Sequence, residues 1–370
     1  MNDTITKASH EYANRPADER YPSLSALVDV ATQDKQLSVE RAYNLGDLRA
    51  VAEDGTLRLS SSRGTADFSH WSFHQLSRLV GAPAGYLREG LSPELAADCL
   101  NHGLQSQAGN DVVLLAKAAN GKPRPIIRAA TSGSYGRVWD ADLYSAFEDT
   151  LTKHDNQWSL PPTWSGEPAG AYRGDRDSFV ILTNGGSIVT DPSAAQHGSG
   201  PDQDSQAMYR GVMVRNSEVG AASVTIETVL YRYICGNHIL WGATVDKSFR
   251  RRHVGKQALR DTMREVYRIA RQWSERPESA DQAIISGLVS HEIATTKASV
   301  VAELAKLGAT KTQAAAAYDR AEQTESNPRS WWGASQGLTR ISQDQLNQDD
   351  RYQLDRIAAA VMARGVKVCA

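Results

Sequence analysis

The stretch from Ala207 to Lys256 constrains the fold of this chain most strongly. Two segments within it, Tyr209 to Arg215 and Ser223 to Ile234, are rich in Val, Ile, Thr and Tyr, and Asn216 to Gly220 between them has the composition of a turn. This pattern predicts a β-hairpin. In the second segment, residues of both parities are apolar, so both faces of that strand are expected to be covered by other elements.

Positive charge is concentrated around this hairpin. From Ala207 to Arg276 the chain carries 13 Lys and Arg against 6 Asp and Glu, whereas the net charge of the whole chain is −2. A basic region confined to one part of the chain is typical of a surface that binds a polyanion. The alternative is that arginines on a helix pair with neighbours such as Glu265. The residues expected to contact nucleic acid are Arg210, Arg215, Arg232, Arg250, Arg251, Arg252, Lys256 and Arg260. Strand alternation places Arg210 and Arg215 on opposite faces.

Length and composition limit the class of protein. With 370 residues, 41% of them hydrophobic and 23% charged, the chain resembles an ordinary globular protein with room for two domains. No run approaches about 18 apolar residues, and the N-terminal residues lack the apolar core of a signal peptide. A cytoplasmic protein without a membrane partner is therefore expected. The cysteines Cys99, Cys235 and Cys369 fit no CxxC pattern, in agreement with a reducing compartment.

The elements predict an α+β protein, with an antiparallel sheet core, flanking helices and a helical C-terminal third. Residues 1–22 are polar and aperiodic, which predicts a flexible N-terminal arm. Residues 23–253 form the expected α+β core domain, with a flexible insertion near 191–206, and residues 254–370 form the helical region.

Caps and turns predict several elements individually. Ser69 and Ser92 have the character of N-caps, the first for a helix that ends near Gly81. Val112 to Ala118 and Ile126 to Ala129 are expected to pair as strands. The helices of the C-terminal region are predicted at Val254–Trp273, Glu278–Leu307, Thr312–Glu325 and Gln343–Ala363.

Three motifs have both a chemical and a structural interpretation. His70 and His74 have the i, i+4 spacing of a metal-binding pair, but no third ligand is indicated, so neither a metal nor a cofactor is expected. The glycines of Ser132 to Arg137 match no nucleotide-binding fingerprint and favour a plain turn. Trp331 and Trp332, predicted in a loop, suit base stacking or packing onto a helix, and packing is favoured.

The corner at Cys235, Asn237 and His238 has the residue types of a nucleophile and a base. Neighbouring strand residues point to opposite faces, so the thiol and the imidazole meet only if the chain bends at Gly236. A buried Cys with a capping Asn is the favoured interpretation, which makes an enzyme the less favoured class.

Several of these motifs together resemble a family of phage- and plasmid-encoded proteins of unknown function. The marks are an Asn-Ser-x-x-Gly turn at Asn216–Gly220 and an Arg-x-x-Cys-x-Asn strand end at Arg232–Asn237. The resemblance covers roughly Phe68 to His253. The other matching segments are Phe73-His74-Gln75-Leu76, Gly81-Ala82-Pro83, Tyr86-Leu87, Arg128-Ala129 and Ser134-Tyr135. Glu218-Val219 stands where the family usually shows His-Asp.

The resemblance implies a context of mobile elements that replicate, recombine and defend their DNA. The architecture is similar, at a coarse level, to single-strand annealing proteins. We therefore expect a protein that binds single-stranded DNA and forms a homo-oligomer. Two alternatives remain: a Cys-dependent enzyme, and a self-assembling or host-targeting phage protein. The second would make subunit contacts through the Ala314–Ala317 face and the stripe at Ile357 and Val361.

Overall fold

The computed structural model describes residues 19–118, 121, 123–149, 157–161, 170–190, 207–232, 237–239, 249–251, 258–344 and 348–369. Its helices are α1 (Leu24–Gln36), α2 (His70–Leu79), α3 (Ala84–Glu89), α4 (Pro93–Ser106), α5 (Asp140–Phe147), α6 (Ala258–Ser274), α7 (Glu278–Ser290), α8 (Lys297–Lys306), α9 (Lys311–Thr324), α10 (Trp331–Gln343) and α11 (Gln348–Cys369). Its strands are β1 (Arg20–Tyr21), β2 (Ser38–Asn44), β3 (Arg49–Glu53), β4 (Thr56–Ser61), β5 (Gly64–Phe68), β6 (Asp111–Lys117), β7 (Ile126–Thr131), β8 (Trp158–Ser159), β9 (Ala171–Arg173), β10 (Ser178–Thr190), β11 (Ala207–Asn216), β12 (Val224–Arg232), β13 (Asn237–Ile239) and β14 (Phe249–Arg251).

The protein is α+β, and its strands form two sheets. The six-stranded sheet has the order β2-β6-β7-β5-β4-β3 and is antiparallel except for the β5–β7 pair. The eight-stranded sheet follows the order β1-β9-β10-β11-β12-β13, with β14 paired to β12 and β8 paired to β10. Helices α6 to α11 follow the eight-stranded sheet in sequence, and α6 packs against β11, β12 and β14.

The predicted hairpin is confirmed. Strands β11 and β12 pair antiparallel, with Val214 opposite Ile226, and Asn216 to Gly220 turn the chain. Val212, Val214 and Ile226 belong to the large core on one face, whereas Met213 and Val229 belong to a smaller cluster on the other. Both faces of this strand pair are therefore covered, because each carries apolar residues that must be removed from water.

The sequence predicts only part of the six-stranded sheet, namely the β6–β7 pair and the helices α2 and α4 that pack on it. Ser69 and Ser92 cap α2 and α4 by accepting hydrogen bonds from backbone amides of their first turns. Strands β6 and β7 form the expected antiparallel pair. Helices α2 and α4 bury apolar residues against one end of a sheet face, including Phe73, Leu76 and Leu100. Helix α1 and the short α3 were not predicted.

The C-terminal helices require one correction. The single helix predicted over Glu278–Leu307 is wrong, because α7 and α8 are separate helices on either side of residues 291–296. Thr296 starts α8 through a reciprocal capping pair with Ser299, and this pair gives the chain a new helix N-terminus. Helix α8 ends before Gly308, whose φ of +110° suits glycine.

The expected flexible segments fall mostly outside the described residues, both residues 1–18 and the insertion near 191–206. The end of the expected N-terminal arm is ordered, however. Arg20 and Tyr21 form β1 and pair with Tyr172 and Ala171 of β9. Tyr21 is buried in the large core, and this burial explains why the polar arm ends there.

None of the described helices is both long enough and apolar enough to cross a lipid bilayer.

Candidate nucleic-acid interface

Arg210 lies inside the protein, which corrects the expectation that it lines a groove. Only 2% of its surface is exposed, and its Nη2 pairs with Asp281 Oδ2. Its Nη1 donates to the carbonyl oxygen of Arg276 at 2.6 Å, and the guanidinium lies 5.3 Å from the centre of a Trp273 ring. A cation enclosed in this way holds β11 against the turn between α6 and α7, and it does not meet a polyanion.

The other predicted arginines occupy different environments. Arg215 lies on the opposite face from Arg210, as alternation predicts, and its Nη2 is 2.5 Å from Asp177 Oδ2. Arg232 ends β12, and the backbones of Arg250 and Arg251 in β14 pair with Thr225 and Val224. Arg252 and Lys256 lie outside the described residues, whereas Arg260 is exposed on α6.

Helix α6 is strongly amphipathic. Thr262, Val266, Ile269 and Trp273, spaced by four, three and four residues, are buried on its inner side. Its outer side carries Arg260, Arg264, Arg268 and Arg271, all exposed and spaced by four, four and three residues. Side chains at these spacings share one face of a helix, so the four guanidinium groups form a continuous row. We call this row the α6 arginine face.

Two of these arginines pair with acidic residues on α6 or directly after it. Glu265 Oε2 is 2.7 Å from Arg268 Nη2, and Glu275 Oε1 is 2.8 Å from Arg271 Nε. Exposed ion pairs of this kind contribute about 0–1 kcal/mol, because water and salt screen them. A phosphate can therefore replace these carboxylates at small cost.

The weak catalytic candidates Cys235, Asn237 and His238 fall only in part within the described residues. Cys235 lies outside the described residues, and Asn237 and His238 lie on β13 opposite Arg232 and Tyr231. The rings of His70 and His74 have centroids 5.1 Å apart, and Arg88 Nη2 is 3.2 Å from His74 Nε2. Within the described ranges, no group of three or more His, Cys, Asp or Glu side chains is placed to hold a metal ion.

The hairpin turn brings together motifs that are far apart in sequence. Trp71 Nε1 and Gln75 Nε2 of α2 donate to the Val219 carbonyl oxygen at 3.0 and 2.8 Å. Tyr135 Oη donates to the Ser217 carbonyl oxygen at 2.9 Å. Asn216 Nδ2 donates to the Val138 carbonyl oxygen at 2.9 Å. The turn therefore fastens the eight-stranded sheet to the helices of the six-stranded sheet, and we call this region the junction.

Buried charges complete the junction. The buried Glu218 carboxylate pairs with Arg128 at 2.8 Å and Arg173 at 3.2 Å, and it accepts the Asp140 amide at 2.9 Å. Arg173 also pairs with Asp140 at 3.0 Å and with Asp34 at 2.7 Å. Each buried charge thus has a partner of opposite sign, as burial requires. These polar residues of the turn hold the fold together and are not exposed to a substrate.

The ionisation of the two central carboxyl groups differs. Burial, together with the neighbouring Glu218 carboxylate, raises the pKa of Asp140 to about 6. Burial also acts to raise the pKa of Glu218, but Arg173 and Arg128 outweigh it and hold that pKa below the usual value. Sequence patterns missed Asp34, Asp140 and Arg173 as a group, because nothing in their spacing indicates that they meet.

A cleft of about 620 Å³ opens beside the junction and is lined by Lys117, Arg128 and Arg173. Its cations are already neutralised, since Lys117 Nζ is 2.5 Å from Asp34 Oδ1 and the two arginines pair with Asp34 and Glu218. This balance makes the cleft a poor site for an anion.

The two tryptophans and the small-residue face are also internal. Trp331 and Trp332 begin α10 after the Ser330 cap and are buried, so packing is confirmed and the predicted loop is corrected to a helix start. Ala314 and Ala317 are fully buried within the chain. Ile357 and Val361 are buried as well. Ala314, Ala317, Ile357 and Val361 are therefore not accessible for subunit contacts.

The fold and the junction define an α+β protein made of two sheets that one hairpin turn joins. The chain belongs to a family described as a domain of unknown function (DUF932), whose profile matches residues 132–358. The resemblance carried by the sequence motifs covers roughly Phe68 to His253. The family region therefore extends through α6 to α10 and into α11, and it leaves the six-stranded sheet outside. No curated protein and no solved structure matches the chain.

Proposed function

We propose that this chain binds single-stranded nucleic acid on the α6 arginine face, as part of the DNA metabolism of a phage or another mobile element. The observation that carries the proposal is the row of exposed arginines on α6, next to the arginine-bearing strand β14. Guanidinium groups neutralise phosphates and release condensed counterions, which supplies sequence-independent affinity.

The position of α6 supports this role. The helix packs on β11, β12 and β14 through its apolar side, so the arginine row is held on a rigid support. Binding elements on rigid supports lose less entropy when they engage a ligand. Arg210 and Arg215 are left out of the proposed interface because carboxylates already pair with them.

The test is fluorescence anisotropy of a labelled single-stranded oligonucleotide across a salt series, with the full chain and its Arg260→Ala/Arg264→Ala/Arg268→Ala variant. Removing three phosphate contacts is expected to weaken binding at least tenfold. It should also flatten the slope of log K against log salt by about 2, since each contact contributes about 0.7 for a single strand. The variant should stay folded, because all three side chains are exposed.

A matched control removes the same charge elsewhere, in Arg49→Ala/Arg78→Ala/Arg356→Ala, where each arginine is exposed on another element. The control should keep most of the affinity. Equal losses in both triple variants would mean that only net charge matters, and an absence of binding at micromolar wild-type protein would end the proposal.

The proposal includes strand annealing by several copies of the chain. Complementary labelled strands should pair faster with the wild-type protein than without it. Mass photometry should show larger assemblies when the oligonucleotide is added. Assemblies that form equally without oligonucleotide would instead support a self-assembling protein that does not act on DNA.

A further inference from the structure

The six-stranded sheet has a groove on the face that α2 and α4 cover only in part. The groove has a volume of about 590 Å³, and Leu59, Leu114 and Ile127 form an aliphatic floor. These three side chains are buried, whereas Val39 at the side of the groove is 47% exposed. Helix α4 packs on β3 and β4, so among the described residues it leaves the part of the face near β2 uncovered.

Three arginines surround this floor: Arg41 on β2, Arg63 between β4 and β5, and Arg124 before β7. No Asp or Glu is found among the described residues that line the groove. Arg124 Nη2 lies 3.4 Å from Glu53 Oε2, outside the groove lining. Within the described part of the chain, Arg41 and Arg63 have no carboxylate at ion-pairing distance. The cleft at the junction differs, because each of its named cations pairs with a carboxylate.

The order and register of the strands place Arg41 and Arg63 on different sides of the groove floor. Arg41 lies opposite Leu114, and Ala66, which also lines the groove, lies opposite Leu59. Four strand spacings separate β2 from β4 in the sheet order, or roughly 19 Å at about 4.8 Å per spacing. Positive charge therefore stands on both sides of the floor, with the half-buried Tyr43 beside Arg41.

We infer that this groove binds a short segment of single-stranded nucleic acid, with phosphates at Arg41, Arg63 and Arg124 and bases over Tyr43 and the aliphatic floor. Separated cations match the several phosphates of a strand better than the single anionic group of a small acid. Arginine planes and tyrosine rings also stack on unpaired bases. The inference takes its class of ligand from the proposed function, but it assigns a second surface that lies outside the DUF932 match.

The experiment compares oligonucleotide binding by the full chain, by Arg41→Ala/Arg63→Ala and by the control pair Arg49→Ala/Arg78→Ala. Arg49 and Arg78 are exposed and do not line the groove. The groove pair should weaken binding about tenfold and flatten the salt slope by about 1.4, at about 0.7 per phosphate contact. The control pair should change neither quantity by more than twofold.

A second variant tests the groove without removing an arginine. Val39→Glu places a carboxylate beside Arg41 at a largely exposed position, so folding should be unaffected. It should weaken binding by a similar factor, whereas Val368→Glu, at a residue that is 61% exposed on α11, should not. Photo-crosslinking with 5-bromodeoxyuridine oligonucleotides should label Tyr43.

The outcomes separate this inference from the proposed function. Loss in the α6 triple variant alone overturns the groove and leaves the proposed function standing. Loss in the groove variants alone supports the groove and removes the role of α6. If dodecanoate binds saturably, loses binding in Arg41→Ala/Arg63→Ala and leaves oligonucleotide affinity unchanged, the groove serves an amphipathic acid and the inference is overturned.

Discussion

At the junction, hydrogen-bond donors, burial and a neighbouring charge together set the pKa of the Asp140 carboxyl group. Its carboxylate accepts hydrogen bonds from Arg173 Nε at 3.0 Å, Ser178 Oγ at 2.7 Å and Asn216 Nδ2 at 2.7 Å. Three donors favour the ionised form, but burial and the nearby Glu218 charge act against it and raise the pKa to about 6 from 3.8. The contribution of Asp140 to stability is therefore fully present below pH 4 and is lost as the pH rises through about 6.

We expect Asp140→Asn to lower the free energy of unfolding less at high pH than at low pH. The free energy of unfolding of the wild type minus that of the variant should fall by on the order of 2 kcal/mol between pH 4 and pH 7.5. Urea denaturation at the two pH values measures this difference. Asp98→Asn, at an exposed position, controls for the loss of one carboxylate. A difference that grows with pH would show that the three donors dominate over burial.

At the level of elements, α9 and α10 approach each other through small residues. Ala314, Ala317 and Ala321 of α9 are fully buried, and Gly337 of α10 lies against Ala317 and Ala321. A Cβ atom at Gly337 would clash with the Ala317 carbonyl oxygen, which belongs to the backbone of a helix and cannot move aside. The close packing of these helices therefore depends on the absence of one methyl group.

Gly337→Ala should destabilise the protein by about 3 kcal/mol, at the upper end of the range for overpacked sites. Gly287→Ala is the matched control, because a Cβ atom there meets only Cys369 Cβ at 3.5 Å. Alanine at that helical position should be neutral or stabilise by up to about 1 kcal/mol. Thermal unfolding monitored by circular dichroism compares the two variants, and equal midpoints would contradict the packing argument.

The sequence predicted elements that local rules decide, and failed where tertiary contacts decide. The caps Ser69 and Ser92 and the Asn216–Gly220 turn satisfy backbone groups within a few residues, so their sequence is sufficient. The break between α7 and α8 was missed because apolar residues continue across it. The junction was missed because Asp34 and Arg173 are distant in sequence and meet only in the folded chain.

For the whole molecule, the contacts at the junction determine whether the two sheets unfold together. Glu218 pairs with Arg128 from β7 and with Arg173 from β9, and so connects strands of both sheets. Only the second of these strands lies in the DUF932 match. The six-stranded sheet therefore lies outside the family region, but it contributes Arg128 to the same group of buried charges.

Glu218→Gln should cost about 3 kcal/mol, because it leaves two buried guanidinium groups without their common partner. It should also divide a single unfolding transition into two, since the sheets lose their main electrostatic connection. Differential scanning calorimetry measures both effects. Glu275→Gln is the control, because Glu275 and Arg271 form an exposed pair whose loss should cost less than about 1 kcal/mol. A single unshifted transition in Glu218→Gln would refute this role.

The pairing of β1 with β9 has a consequence for biosynthesis. About 150 residues separate Tyr21 from its partner Ala171. At roughly 5–20 residues per second, β1 is synthesised about 8 to 30 s before β9. All strands of the six-stranded sheet are translated during that interval. Strand β1 must therefore stay unpaired with β9 until late in synthesis, and its later pairing protects that edge of β9 from strands of other chains.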